Sequence, residues 1–131
     1  IVAHDCGTVI NPAAVQAQLT GAVAQGFGQA VLEAVRVDED GQPLTGSFMD
    51  YAMPRADNAP VVEVLHLPPV PGEGFSPRGV GETGTSGAPA AILNAINDAL
   101  FQKGTAIAEL PATPQLIWQS RQESAGKPAP C

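Results

Sequence analysis

The chain has 131 residues, enough for one domain, and its six basic and thirteen acidic residues give it a net charge of −7. It has no basic face with which to neutralise phosphates, and this excludes nucleic-acid binding. No apolar run reaches the ~20 residues needed to cross a bilayer, so we predict no membrane span.

The first elements are a short strand and a long helix. Residues 1–4, "IVAH", are apolar and predict a buried strand, and residues 11–35 predict the helix. Asn11 is a good N-cap, and Pro12 suits the first helical position because its missing N–H needs no partner there. Apolar side chains at steps of four predict one buried stripe: Val15, Leu19, Val23, Phe27 and Val31.

This helix is unusual in its charge and its glycines. Residues 6–32 contain no charged side chain, although Gly21, Gly26 and Gly28 each cost about 1 kcal/mol relative to Ala in a helix interior. We therefore expect an enclosed helix whose backbone is closely approached by other groups. The face of Gln18, Gly21, Gln25 and Gly28 is either solvated or suited to an uncharged polar partner, such as a heterocycle or a phosphate ester.

Further strands are predicted at residues 47–54, "SFMDYAMP", and 61–67, "VVEVLHL", before a proline-rich loop at residues 68–77. A second helix is predicted over residues 86–104, with Pro89 in its first turn and Lys103 and Gly104 at its end. Its apolar face would comprise Ile92, Ile96 and Leu100. Residues 105–118 predict an extended ending, and residues 119–131 a disordered tail.

The segment "GVGETG", residues 79–84, fits the pattern G-x-G-x-x-G, and Asp98 lies further along the chain. A dinucleotide-binding fingerprint requires an apolar strand that runs directly into its first glycine. Here the preceding residues are "PGEGFSPR", which cannot form that strand, so we reject this interpretation. Backbone N–H groups ahead of a helix could still bind an anionic or polar ligand.

Glu82 is the only acid in this glycine loop, and fifteen uncharged residues, 83–97, follow it. Two interpretations stay open: a solvated loop residue, or a buried carboxylate that acts as a base. His4 and His66 are isolated in strand-like segments. No Cys or His has metal-ligand spacing, so we predict no metal site built by this chain alone, and two free thiols at Cys6 and Cys131.

Four blocks together resemble a known family: residues 2–35, 46–64, 76–100 and 110–118. In order and spacing they are similar to the C-terminal end of the molybdenum-binding subunit of the xanthine oxidase family, which includes aldehyde oxidoreductases and aerobic carbon monoxide dehydrogenases. The resemblance implies an α+β fold of two main helices on short mixed strands. Residues 1–118 would be the C-terminal part of the second molybdopterin-binding domain of a larger subunit.

The resemblance also implies roles for individual residues. Glu82 matches the family's glutamate beside molybdenum and would be the catalytic base. Gln18, or less closely Gln16, matches a glutamine that contacts the nucleotide or pyrophosphate part of the pterin cofactor. The backbone at Gly79 and Gly81 would approach the metal site, and Asn94 would have a packing role.

The activity implied by this resemblance is hydroxylation of an aldehyde or an N-heterocycle, with water as the oxygen source. The implied cofactors are molybdopterin, in its cytosine dinucleotide form, with 2Fe-2S clusters and FAD on partner chains or domains. Partners would be the remainder of the molybdenum-binding subunit, an iron–sulfur subunit and an FAD subunit, and the isolated chain would be inactive. We expect a cytoplasmic protein, with the periplasm as the alternative. The competing hypothesis is a non-catalytic α+β interaction module on the same scaffold.

Overall fold

The computed structural model describes residues 1–101 and 104–124 and has an α+β fold, as predicted. Its elements, in chain order, are β1 (Val2–His4), α1 (Pro12–Val31), β2 (Val64–His66), α2 (Thr83–Phe101) and α3 (Pro114–Ser124). The two long helices, α1 and α2, pack against each other and form the main contact of the fold. No helix of the described residues is long and apolar enough to cross a membrane.

The start of α1 confirms the predicted cap. Asn11 has extended backbone angles, and its Oδ1 accepts a hydrogen bond of 3.1 Å from the backbone N–H of Ala14. Pro12 occupies the first helical position. The helix ends at Val31, earlier than predicted, where the Gly28 carbonyl accepts hydrogen bonds from the backbone N–H groups of both Leu32 and Glu33.

The buried face of α1 differs from the predicted stripe. Val15 and Leu19 are buried, but Val23, Phe27 and Val31 are only half-buried. Steps of four residues rotate by about 40° each around a helix of 3.6 residues per turn, so a stripe of this kind drifts off the contact face. The second half of the contact face is instead built from small residues: Ala22, Gly26 and Ala30.

β1 and β2 form a two-stranded parallel sheet in which Ala3 pairs with Leu65. Isolated antiparallel bridges also join Gly7 to Pro77 and Val37 to Pro43, so the strand pairing is mixed, as predicted. The first strand is less buried than predicted, because Val2 and His4 are half-buried and Ala3 is exposed.

The predicted strand at residues 47–54 is wrong. The Ser47 carbonyl accepts hydrogen bonds from the N–H groups of Asp50 and Tyr51, and the Ser47 hydroxyl donates to Asp50. These local hydrogen bonds form a turn in place of a strand.

α2 begins at Thr83, three residues before its predicted start, so Pro89 lies in the second turn and not the first. Leu100 is buried as predicted, whereas Ile92 and Ile96 are half-buried. Gly104 has a positive φ of 64° and its N–H donates to the Phe101 carbonyl, as expected of a residue that follows a helix. Lys103 lies outside the described residues.

α3 was not predicted. The predicted extended ending at residues 105–118 and the start of a disordered tail at residue 119 are both wrong, because residues 114–124 are helical. Thr113 caps this helix by accepting a hydrogen bond from the N–H of Leu116, and Pro114 is its first residue. The Ala112 N–H donates to the Ala30 carbonyl at 2.7 Å and so attaches this region to α1. Residues 125–131 of the predicted tail lie outside the described part of the chain.

The approach to the glycine loop is irregular, as predicted. β2 ends at His66, and residues 67–82 reach α2 without a helix or strand. No strand therefore leads into Gly79 in the way a dinucleotide-binding fingerprint requires.

Candidate functional site

Glu82 lies immediately before α2, at its N-terminal end. Its carbonyl oxygen accepts hydrogen bonds from the backbone N–H and the hydroxyl of Ser86, at 3.1 and 3.2 Å. Its side chain is exposed, and its carboxylate has no hydrogen bond or ion pair within residues 1–101 and 104–124. The positive end of the helix dipole favours a carboxylate at this position. The Glu82 side chain is exposed, and not buried, in the described part of the chain.

The glycines just before Glu82 leave the loop open. A Cβ built on Gly79 or Gly81 would meet no atom within 4 Å, and both residues are exposed. Nε2 of His4 lies 3.2 Å from the Gly79 carbonyl oxygen and donates to it when that nitrogen carries the proton. Among the described residues, the backbone at Gly79 and Gly81 is therefore accessible to a further group.

The residue before this loop, Arg78, is the centre of a polar network that was not predicted from the sequence. Its guanidinium donates to one oxygen of Asp5 and to both oxygens of Glu73, the latter at 2.7 and 2.6 Å. Its backbone N–H donates to the Cys6 carbonyl at 2.8 Å. Glu73 is only five residues away, but Asp5 and Cys6 are more than 70 positions from Arg78, and no local sequence pattern signals those contacts.

The turn after β1 forms the other half of this attachment. Asp5 Oδ1 accepts a hydrogen bond from the Gly7 N–H, while hydrogen bonds join Thr8 and Ser76 in both directions, each at 3.0 Å. Gly7 has a φ of 62°, and a Cβ there would lie 1.9 Å from the Ser76 carbonyl oxygen. Only glycine fits this close approach. We call residues 5–8 with residues 76–79 the loop anchor.

A cleft of about 300 Å³ lies between the start of α1 and the loop anchor. Gln18 lines this cleft together with Asn11, Arg78 and Val80, whereas Gln16 does not. The structure therefore brings the predicted glutamine close to the chain that leads to Glu82. Asn94, by contrast, is exposed on α2, so the packing role expected for it is not seen in the described residues.

The glycines of α1 have different surroundings. A Cβ on Gly26 would lie 2.7 Å from the Cβ of Ala88 on α2, and one on Gly28 would lie 2.7 Å from Pro54. Gly21 meets nothing within 4 Å. Close approach is thus confirmed at two of the three glycines. Gly28 is buried and does not share the open face of Gln18, Gly21 and Gln25.

A second concavity, of about 750 Å³, is an apolar groove along α2, which is also lined by residues 1–3, by residues 60–62 and by Val23 and Phe27 of α1. Thr83 is the only residue with a polar side chain in its lining. The described residues contain no group of three or more His, Cys, Asp or Glu side chains that could hold a metal ion. The described residues thus place the exposed carboxylate of Glu82 on an open loop, near a cleft whose lining includes Gln18.

Comparisons with known proteins agree with this description. Residues 1–60 match the family model "Molybdopterin cofactor-binding domain", and this range includes both Gln16 and Gln18. The chain is 39% identical to the nicotine 6-hydroxylase large subunit of Paenarthrobacter nicotinovorans, over 96% of the chain and 17% of that protein.

Two crystal structures have a similar fold. Quinoline 2-oxidoreductase from Pseudomonas putida 86 matches with a TM-score of 0.84 and 40% identity, over 92% of this chain and 16% of that one. The Cu,Mo-CO dehydrogenase matches with a TM-score of 0.85 and 31% identity, over 94% of this chain and 16% of that one. These matches support a chain that corresponds to a fragment of the molybdenum-binding subunits of the xanthine oxidase family.

The chain spans about one sixth of the length of these family members. Their similarity covers nearly all of it, so the glycine loop and α2 are part of the shared structure as well as α1. The larger part of the relatives' length has no counterpart in this chain. The glycine loop is exposed and the apolar groove is open to solvent among the described residues.

Proposed function

We propose that this chain contributes the catalytic base and part of the pterin cofactor site to a molybdenum hydroxylase. The observation that carries the proposal is the exposed, unpartnered carboxylate of Glu82 on an open glycine loop at a helix N-terminus. The family match over residues 1–60 supports the cofactor class, and the relatives support the reaction class.

The residues present fit such a cofactor. Gly79 and Gly81 leave the backbone of the loop accessible, and Gln18 offers an uncharged amide in the neighbouring cleft. The Arg78 guanidinium in that cleft is already bound to Asp5 and Glu73, so it is not free to neutralise a phosphate. We therefore assign contacts with the pterin nucleotide to neutral hydrogen bonds from Gln18, with Gln16 as the weaker candidate because it lies outside the cleft.

The molybdenum–pterin group, when bound, supplies the redox chemistry by which a substrate carbon is oxidised. The task of Glu82 in this mechanism is to accept the proton released when water becomes the oxygen donor. Its carboxylate can do so because it forms no ion pair with any of the described residues. The loop presents it beside Gly79 and Gly81, where the backbone leaves room for the cofactor.

An N-heterocycle is the substrate class that we favour over an aldehyde. The names of two relatives specify N-heterocyclic compounds, nicotine and quinoline. For the intact protein we propose the cytosine dinucleotide form of the pterin, with 2Fe-2S clusters and FAD on partner chains or domains. One relative is itself subunit gamma of a dehydrogenase complex, which supports an assembly of several subunits.

The test is Glu82→Gln in the intact protein, which keeps the size of the side chain and removes its capacity as a base. We expect turnover to fall by about 10²–10⁴-fold, the usual contribution of a general base, with unchanged molybdenum content. Glu39→Gln is the matched control, because Glu39 is an exposed carboxylate in a separate turn.

Full activity of Glu82→Gln would refute the role of Glu82. Purified protein without molybdenum or pterin would instead favour the competing hypothesis, a non-catalytic interaction module. That hypothesis also predicts that the 131 residues alone form a stable monomer without metal.

A further inference from the structure

The position of Glu82 depends on few contacts. Between Arg78 and α2, Gly79 and Gly81 have empty space where a side chain would be, and Glu82 itself is exposed. The loop is held at its two ends and in its middle, where Val80 packs against the buried cluster of Cys6, Val15 and Leu19. At the helical end, Gly84 packs against α1, with its Cβ position 2.9 Å from the Cβ of Ala22, and Thr85 donates to the Ala22 carbonyl at 3.3 Å.

The other end is held by the loop anchor. Within the loop anchor, the Arg78 guanidinium contacts three carboxylate oxygens. The backbone N–H of Arg78 also donates to the Cys6 carbonyl. Paired hydrogen bonds from a guanidinium to a carboxylate fix direction as well as distance. Arg78 precedes Glu82 by four residues. Of the residues between them, Val80 packs against the core whereas Gly79 and Gly81 have open space around them, so a shift of the Arg78 backbone reaches Glu82 through a short loop.

We infer that Asp5 and Arg78 are positioning residues for Glu82. The inference rests on the proposed function, since it assigns the anchor a role in catalysis. Asp5 uses its two oxygens differently: Oδ1 accepts from the Gly7 N–H and orders the turn, and Oδ2 accepts from Arg78. A base must be held within a fraction of an ångström of its proton donor, and a displacement of about 1 Å can cost about 100-fold in rate.

This division of roles at Asp5 permits a selective variant. In Asp5→Asn the amide oxygen can still accept from the Gly7 N–H, but the amide nitrogen cannot accept from Arg78. Arg78→Lys removes the same connection from the other side, because a single ammonium cannot reproduce the forked contacts to two carboxylates. Asp57→Asn is the matched control, since Asp57 is exposed in a separate turn and has no side-chain hydrogen bond.

The experiment measures kcat per bound molybdenum, KM, and the hydrogen exchange of backbone amides in the intact protein. We expect Asp5→Asn and Arg78→Lys each to lower kcat per molybdenum by about 10- to 100-fold, since both displace the base. KM should stay within about twofold, because substrate binding does not use the anchor. Amides of residues 79–82 should exchange faster in both variants than in Asp57→Asn.

A wild-type kcat per molybdenum in either variant would overturn the inference, and so would a loss of activity that only reflects lower molybdenum content. Failure of the proposed function gives a different result, because Glu82→Gln would then be active whatever happens in the anchor variants. If Glu82→Gln is inactive while Asp5→Asn turns over normally, only the positioning role is wrong.

Discussion

Gly26 allows the sharpest test of how closely α1 and α2 approach. A Cβ on Gly26 would lie 2.7 Å from the Cβ of Ala88 and 3.1 Å from the Cδ of Pro89. Neither atom is the end of a flexible side chain, so the two helices would have to move apart to admit it. Forcing an extra methyl group into a packed core costs about 1–3 kcal/mol.

The matched substitution is Gly21→Ala in the same helix, where a Cβ meets nothing within 4 Å. Both substitutions gain about 1 kcal/mol of helix propensity, so that contribution cancels when the two variants are compared. The remaining difference is the steric cost at Gly26. We expect Gly26→Ala to be less stable than Gly21→Ala by about 2 kcal/mol.

The assay is denaturant unfolding of both variants and the unsubstituted protein, with the midpoint and slope fitted separately so that a change in stability is distinguished from a change in the unfolded state. Gly21→Ala should be the more stable variant. Equal stability of the two variants would refute the close helix contact, because it would mean that α1 and α2 have room for a methyl group at Gly26.

Two further predictions concern polar contacts inside the fold. Asn97 donates to the Ile107 carbonyl at 2.9 Å and accepts from its N–H at 2.8 Å, so Asn97→Ala leaves both groups of a buried residue without that partner. We expect a loss of about 1–3 kcal/mol in unfolding experiments, against less than about 0.5 kcal/mol for the exposed Asn94→Ala; equal losses would contradict the role of Asn97. Tyr51 donates to Glu33 at 2.6 Å, and this hydrogen bond, followed by desolvation and the charge of Glu33, raises the pKa of Tyr51 above its usual 10.0. The raised pKa means that the contact stabilises the folded state below pH 10 and that the stabilisation is lost as pH rises through the pKa of the folded state. Ultraviolet titration, with Tyr51→Phe as the reference, should give a lower tyrosine pKa in Glu33→Gln, and an unchanged pKa would show that Glu33 is not the cause.

The helix termini show how much the sequence determines locally. The cap of α1 was predicted from Asn11 and Pro12, because capping depends on neighbouring residues only. Thr113 and Pro114 are the same local signal for the start of α3, since Thr113 caps the helix and Pro114 is its first residue. The strand predicted at residues 47–54 failed because the Ser47 turn satisfies its backbone locally, which apolar alternation cannot reveal.

The site was only partly predictable for a related reason. The glycine loop and Glu82 stand out in the sequence because glycines and a lone acid are local features. By contrast, Arg78 contacts Asp5 and Gly7 approaches Ser76 across segments that are distant in sequence. These contacts exist only in the folded chain, so local patterns do not predict them. Composition also could not predict that the glycine loop is exposed. Its exposure depends on whether other parts of a larger protein cover it.

The contacts of Arg78 leave one of three neighbouring carboxylates without a partner among the described residues, and it is the one that we propose as the base. Asp5 and Glu73 share the Arg78 guanidinium, so the carboxylate oxygens that face it already accept hydrogen bonds. These side chains are about one third exposed, so the pairs add little stability, about 0–1 kcal/mol each. Their effect is therefore geometric. The two carboxylates hold the arginine and so fix the chain, whereas the third carboxylate, that of Glu82, is unpaired among the described residues.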